Sequence, residues 1–240
     1  MNSSHPNRAR TLSLSLFTLG TALALLTGCS TTSKSKPGAW QPLTDGKTFA
    51  GWRTYKPDGK IGTGWVYEDG MLKKQAAIEG GDIITEKTYD NFELSWDWRI
   101  AKAGNNGIKY FILDERKSAV GHEYQMLDDD GHPDGKIGPH RQTGAFYDVL
   151  PPMKNRPIKP VGEWNSSRVI VQGNHVEHWL NSVKVLQYEC GSPEVMEAVA
   201  KSKFKKVEGF GTKVKGHILL TDHKDECWFR NLRIRELPAN

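Results

Sequence analysis

Between Gly121 and Asp148 the chain reads GHEYQMLDDDGHPDGKIGPHRQTGAFYD, a dense run of groups able to move protons or bind polar ligands. Glu123 and Gln125 stand two apart, interleaved with Tyr124 and Met126. On an extended strand this spacing puts the carboxylate and the amide on one face and the apolar pair on the other. Asp128, Asp129, Asp130, His132, Asp134, His140 and Arg141 follow in a stretch broken by glycine and proline, which predicts a loop. Ala145–Val149 then reads as a second short strand carrying Tyr147. Carboxylates and imidazoles held up on a loop between strands suit sugar or metal chemistry, and the residue types leave both open. The acidic run does not fit the calcium-loop template, whose glycine would fall elsewhere. No metal site is therefore expected, with a divalent cation as the minority alternative.

The elements that must position these residues are strands. Short runs rich in Val, Ile, Trp, Tyr and Phe recur between Gly, Asp and Asn turns, the pattern of a β-sandwich or barrel. In Tyr89–Ile100, Phe92, Leu94, Trp96 and Trp98 alternate with Glu93, Ser95, Asp97 and Arg99, predicting a half-buried antiparallel strand. Gly104–Gly107 turns into a strand in which Ile108, Tyr110 and Ile112 face one way and Lys109, Phe111 and Leu113 the other. His178 lies between Val176 and Leu180 on an apolar face and reads as structural. Trp164 and Asn165 stand at a strand start, which they fix or from which they contact ligand. One helix is predicted, Glu194–Phe204, with Ser192 as N-cap, Pro193 at the first position and Val195, Ala198 and Val199 on one side. No fixed-period repeat is present, which argues against a propeller or solenoid.

Composition narrows the partners. Arg8 and Arg10 precede the apolar run Leu12–Leu26, followed by Leu26-Thr27-Gly28-Cys29: an export signal too short for a membrane span of ~20 residues. The last four residues resemble a bacterial lipobox, so residues 1–28 are expected to be removed and Cys29 lipidated. Ser30 after the cysteine points to the outer membrane of the cell envelope, facing the periplasm or the surface. Residues 29–39 read as the lipidated cysteine and a flexible tether, and residues 40–238 as one domain. The formal charge of +5 falls to +3 without Arg8 and Arg10, and no basic stripe interleaved with aromatics suggests nucleic acid. The eight tryptophans are either sugar-stacking platforms or core residues. Cys190 and Cys227 remain as a pair that an oxidising compartment could join.

The ordered set GNNGIKYFI, GHEYQMLD, TGAFYDVLPP, VGEWNSSRVIVQGNHVEHWLN, SKF…GFG, GHILLTDH and FRNLRIREL resembles the 3-keto-disaccharide hydrolase family over nearly the whole of the domain. The resemblance implies an all-β jelly roll of two antiparallel sheets, concanavalin-like, with ligand on the concave one. It implies cleavage of a glycosidic bond in an oxidised oligosaccharide or glycoside whose C3 is a ketone. That ketone acidifies the C2 proton, so the chemistry needs a base near C2, an acid near the glycosidic oxygen, and a donor or cation at O3. Carried onto this chain, Glu123 is the base or a ligand and His223 the acid/base imidazole, while Asp222 orients that imidazole or faces outward at a strand end. Asn106, Lys109, Gln125, Tyr147 and Thr221 are sugar contacts; Arg141 and His140 bind substrate or decorate the loop. The chain departs from the family pattern at Thr221 and Lys224, where Gln and Gly are usual, and at Ser182 in a turn. Those departures leave a non-catalytic carbohydrate-binding lipoprotein as the alternative.

Overall fold

The computed structural model describes residues 1–2, 36–56, 59–116 and 118–239. The export signal, Cys29 and most of the tether lie outside the described residues. Among the described residues no helix is long and apolar enough to cross a membrane.

Strands run in chain order β1 (Gln41–Pro42), β2 (Trp52–Thr54), β3 (Trp65–Glu68), β4 (Met71–Lys74), β5 (Ile83–Thr85), β6 (Phe92–Ile100), β7 (Asn105–Ile112) and β8 (His122–Leu127). After the acidic loop come β9 (Asn165–Gln172), β10 (His175–Leu180), β11 (Val183–Glu189), helix α1 (Pro193–Lys201), β12 (His217–Leu220) and β13 (Cys227–Glu236). An eight-stranded sheet is ordered β11-β10-β9-β6-β13-β4-β3, with β1 paired to β13. A five-stranded sheet is ordered β2-β5-β12-β7-β8. Every pairing is antiparallel. Among the described residues the fold is an all-β jelly-roll sandwich with one short α-helix.

The alternation in β6 decides where the core lies. Phe92, Leu94, Trp96 and Trp98 are buried, and they meet Ile108, Tyr110, Tyr124 and Met126 from the five-stranded sheet. Trp96 meets Tyr124 edge to face at 5.0 Å, and its indole N–H donates to the Met126 sulfur at 3.2 Å. The Trp98 indole donates to Ser167 Oγ at 2.8 Å, so each buried polar tip has a partner. Four tryptophans are thus core, with Trp52 and Trp65 beside this pair. The others carry cations: Trp40 stacks with Arg235, Trp164 with Arg230, Trp179 with Arg168 and Trp228 with Arg99, at 4.7, 4.0, 4.4 and 4.2 Å.

Three local expectations change. The alternation in β7 breaks after Lys109: Phe111 takes a left-handed φ of 64°, and the register against β12 slips between His217 and Leu219. This bulge turns Phe111 into the main core beside Tyr110, while Ile112 joins Ile84 and Leu219 in a separate small cluster. Ala145–Val149 is not a strand; it makes isolated bridges through Phe146 to Tyr124 and Leu150, and Asp148 at φ 62° ends its extended run. The acidic loop contains two short 3₁₀ turns, Pro133–Lys136 and Pro139–Arg141, each with proline at its start. Helix α1 spans Pro193–Lys201, with the Ser192 side chain accepting from Val195 N–H and Val195 and Val199 buried. It stops three residues before Phe204. Cys190 and Cys227 are both buried and unpaired.

His178 is structural, and its hydrogen bonds fix their own direction. The Gly144 carbonyl accepts from His178 Nδ1 at 2.9 Å, so Nε2 must accept from the Tyr110 hydroxyl at 2.8 Å. Tyr110 then accepts from Tyr188 at 2.6 Å, and Tyr188 from His122 Nδ1 at 2.9 Å. Burial pushes the pKa of His178 down to about 4, and burial and neighbouring His178 hold His122 well below its ordinary value. Both are neutral when folded and bind protons near pH 6.5 when unfolded. Their contribution is therefore complete above that pH and lost as pH falls toward 4, on the order of 3 kcal/mol for His178 alone. Urea titrations at pH 7 and pH 4.5 should show this loss, and His178→Gln should flatten the acid limb.

Candidate active site

Strand β8 lies at the edge of the five-stranded sheet. Tyr124 and Met126 point into the sandwich, which turns Glu123 and Gln125 onto the sheet's other face. Adjacent β7 contributes Asn105, Gly107 and Lys109 to that face, in the register Asn105↔Leu127, Gly107↔Gln125 and Lys109↔Glu123. Together these strands floor a cavity of about 250 Å³, whose walls include Tyr147, Lys203, Phe204 and His223.

The floor is buried yet not satisfied. Glu123 is 5 % exposed and Gln125 1 %, and each leaves its Oε1 without a hydrogen-bond partner. The Gln125 amide nitrogen donates to Asn105 Oδ1 at 3.0 Å, which fixes the amide so that its oxygen is the orphan. A buried acceptor without a donor costs about 1–3 kcal/mol. Two such atoms at i and i+2, beside one cavity, mark a place where a ligand's hydroxyls or an acidic C–H complete the structure. Gly107 makes room for this: a Cβ there would lie 2.1 Å from Glu123 Oε1.

Of the residues singled out in the sequence, Glu123, Gln125, Lys109, Tyr147 and His223 converge on this cavity. Lys109 donates to the Ala119 carbonyl at 3.3 Å. Tyr147 presents its ring, because its hydroxyl donates to Asp134 Oδ2 at 2.6 Å; burial and that carboxylate raise the phenol's pKa. His223 is exposed at the rim.

The rest lie elsewhere. Asp222 does not orient His223: its Oδ1 faces the Lys74 ammonium at 2.9 Å, and its Oδ2 accepts from the Gly80 and Gly81 amides at 2.7 Å each. Burial alone would raise its pKa, but Lys74 and the surrounding amides outweigh it and hold the carboxyl below its ordinary value. Asn106 and Thr221 are buried against each other, the Asn106 amide donating to the Thr221 carbonyl at 3.1 Å and the Thr221 hydroxyl accepting from Gly107 N–H at 2.8 Å. They join β7 to the end of β12 and line no part of the cavity. Arg141 is engaged by Asp148 at 2.6 Å and Asp134 at 2.7 Å, and His140 lies 3.7 Å from Asp148. Asn165 fixes its strand start, accepting from Lys159 N–H at 3.0 Å.

The acidic loop is internally engaged as well. Asp128 accepts from the Ala103 and Gly131 amides at 2.7 and 2.9 Å, Asp129 pairs with Arg156, and His132 caps the first 3₁₀ turn. Among the described residues no three His, Cys, Asp or Glu side chains form a group able to hold a metal ion. Larger clefts of about 740 and 580 Å³ lie beside α1 and under this loop. The buried and half-buried carboxylates that line them are already engaged: buried Asp148 by Arg141, buried Asp128 by the Ala103 and Gly131 amides, and half-buried Asp129 by Arg156. The geometry therefore favours the smaller cavity.

Sequence reasoning overlooked Asn105 and Lys203. Period-2 alternation puts Asn105, and not Asn106, on the face of Lys109, so that signal was present. Lys203 stands in the SKF segment after α1, and only the fold shows that it reaches Glu123's cavity.

Comparison with known proteins agrees with this architecture. Residues 39–235 match the 3-keto-alpha-glucoside-1,2-lyase-like domain. The chain is 34 % identical over 226 residues to a 3-keto-disaccharide hydrolase of Bacteroides thetaiotaomicron, covering 81 % of this chain and 77 % of that one. Two crystal structures of candidate glycosyl hydrolases from Parabacteroides distasonis superpose with TM-scores of 0.74 and 0.62 at 31 % and 26 % identity. They cover 85 % and 83 % of this chain and all of each of theirs. The chain is a hydrolase of the glycosidase class. It belongs to the 3-keto-alpha-glucoside-1,2-lyase-like family.

Proposed function

We propose that the cavity receives the oxidised ring of a 3-keto-glycoside and cleaves its glycosidic bond by elimination followed by hydration. The observation that carries this reading is the buried Glu123 carboxylate oxygen that has no protein partner. A carboxylate left without a donor suits a base that must take a proton from carbon, because hydrogen bonds to its oxygens would weaken it. Glu123 removes the C2 proton, and the ketone draws the electron pair toward its oxygen. The C1–O bond then breaks, with His223 at the rim delivering a proton to the departing oxygen. Water adds across the resulting enone to complete hydrolysis; without that addition the reaction would end as a lyase's. Gln125 offers its free oxygen to a ring hydroxyl.

The departures at Thr221 and Lys224 bear on the alternative of a binding protein that does not cleave. Neither lines the cavity: Thr221 is buried against Asn106, and Lys224 lines a separate cleft beside Asp222. Their positions favour the enzymatic reading. The test is sugar release from a 3-keto-disaccharide beside its unoxidised parent, with and without chelator. Cleavage of the keto sugar alone is expected; binding without cleavage of either would establish the binding protein, and chelator sensitivity would establish a divalent cation. The Leu26–Cys29 motif supports attachment of this domain to the cell envelope through a lipidated Cys29. Partitioning of the native protein into detergent would test that attachment.

A further inference from the structure

The ketone oxygen needs a positive partner when the C2 proton leaves, and Glu123 and His223 supply the base and the acid only. Two lysines line the cavity, Lys109 and Lys203. Lys109 already donates to the Ala119 carbonyl. The Lys203 ammonium makes no hydrogen bond to a protein acceptor among the described residues. It sits 4.2 Å from the centre of the Tyr147 ring and 5.1 Å from that of Phe204. Aromatic faces hold a cation without using its N–H donors, so the donors remain available to a ligand.

We infer that Lys203 is a further catalytic residue, the cation that takes the negative charge developing on the C3 oxygen while Glu123 removes the C2 proton. This assignment rests on reading the cavity as a 3-keto-glycoside site. The electron pair of the C2–H bond becomes the C2–C3 double bond, and the carbonyl pair moves to oxygen beside Lys203. The proton goes to Glu123. As the enolate re-forms the ketone, the pair in the C2–C3 bond shifts to C1–C2 and the C1–O bond breaks. Lys203 donates hydrogen bonds throughout and transfers no proton; the departing oxygen keeps the C1–O electron pair and takes a proton from His223, so the elimination needs no oxidant or reductant.

The surroundings hold this ammonium in place before substrate arrives. The Lys203 backbone N–H donates to Asp148 Oδ2 at 2.7 Å. Asp148 Oδ1 is held by Arg141 at 2.6 Å, and Arg141 reaches Asp134 at 2.7 Å. Asp134 in turn accepts from Tyr147, whose ring lies beneath the ammonium. The ring of contacts closes on itself, fixing the charge at one place, the condition under which a preorganised cation is most effective. The loop residue Arg141 and the backward-facing Tyr147 hydroxyl thereby acquire a positioning role. Burial lowers the pKa of Lys203 against the attraction of Glu123 and Asp148, so its charge is lost at lower pH than for an ordinary lysine.

The experiment compares the wild type with Lys203→Met and Lys203→Arg on a 3-keto-disaccharide. It reads kcat, KM, C2 proton exchange in D₂O and the pH profile, with melting temperature as a check on folding. Lys203→Met should lose roughly 10²- to 10³-fold in kcat, the range for removing one oxyanion donor, with KM within a few-fold. C2 exchange should slow by a similar factor. Lys203→Arg should recover part of kcat and move the alkaline limb upward, because guanidinium stays charged. Should Lys203→Met fail to fold, the displaced alkaline limb of Lys203→Arg decides alone. An unchanged kcat in Lys203→Met, a loss confined to KM, or an Arg variant with an unmoved limb overturns the assignment. A wild type that leaves the keto sugar intact overturns the reading of the site and this assignment with it; an active wild type beside an equally active Lys203→Met overturns only the lysine.

Discussion

Glu123→Gln is expected to lose roughly 10²- to 10⁴-fold in kcat, the range for a positioned general base, while binding of the sugar changes little. The replacement keeps the side chain's size and removes its capacity to take a proton. Gly107→Ala reaches the same carboxylate without altering it. Its Cβ would lie 2.1 Å from Glu123 Oε1 and 2.9 Å from Cδ, so the end of a flexible side chain must move. Since no backbone atom is among those nearest contacts, the fold should survive while the base shifts by about an ångström, a displacement worth ~10²-fold in rate. Steady-state kinetics with melting temperatures on both variants checks the pair. A Gly107→Ala enzyme with wild-type kcat would mean that the exact position of the carboxylate is immaterial, and Glu123 would cease to be the base.

Asp222→Ala should act on stability. Lys74 is fully buried, and its ammonium has Asp222 as counter-ion beside the Gln75 and Ile78 carbonyls at 2.8 and 2.6 Å. Removing the carboxylate strands a buried charge and leaves the Gly80 and Gly81 amides without their acceptor. Breaking a buried pair on one side costs about 3–5 kcal/mol, which for a domain of this size lowers the melting temperature by roughly 10 °C. A purely orienting carboxylate behind His223 would behave differently: melting would stay at the wild-type value and the acid limb of the rate profile would move. Thermal unfolding beside a pH profile separates these outcomes. Asp222→Asn, which keeps the shape and removes the charge, tests whether the counter-ion or the hydrogen bonds matter more.

Several features were legible in the sequence because they depend on neighbours along the chain. The two-residue period of β6 put Phe92, Leu94, Trp96 and Trp98 in the core, and the same period in β8 separated Glu123 and Gln125 from Tyr124 and Met126. Ser192-Pro193 marked the start of α1, because a capping hydroxyl and a proline act within a single turn. His178 between Val176 and Leu180 was recognisable as a core residue from its flanks.

Tertiary structure decided what depends on partners distant in the chain. Asp222 and His223 are adjacent in sequence, yet at the end of β12 their side chains part, one to Lys74 and the other to the cavity rim. Asn106 and Thr221 looked like sugar contacts because both are polar and lie in motif segments; pairing between β7 and β12 buries them against each other. The bulge at Phe111 reversed a side chain that simple alternation would have turned outward. Lys203 follows a helix about eighty residues beyond Glu123 in the chain, and the fold brings it to the same cavity with its backbone N–H held by Asp148. Local periodicity fixes which face a residue occupies, whereas the partner that face meets is set by the packing of the two sheets and the loops across them.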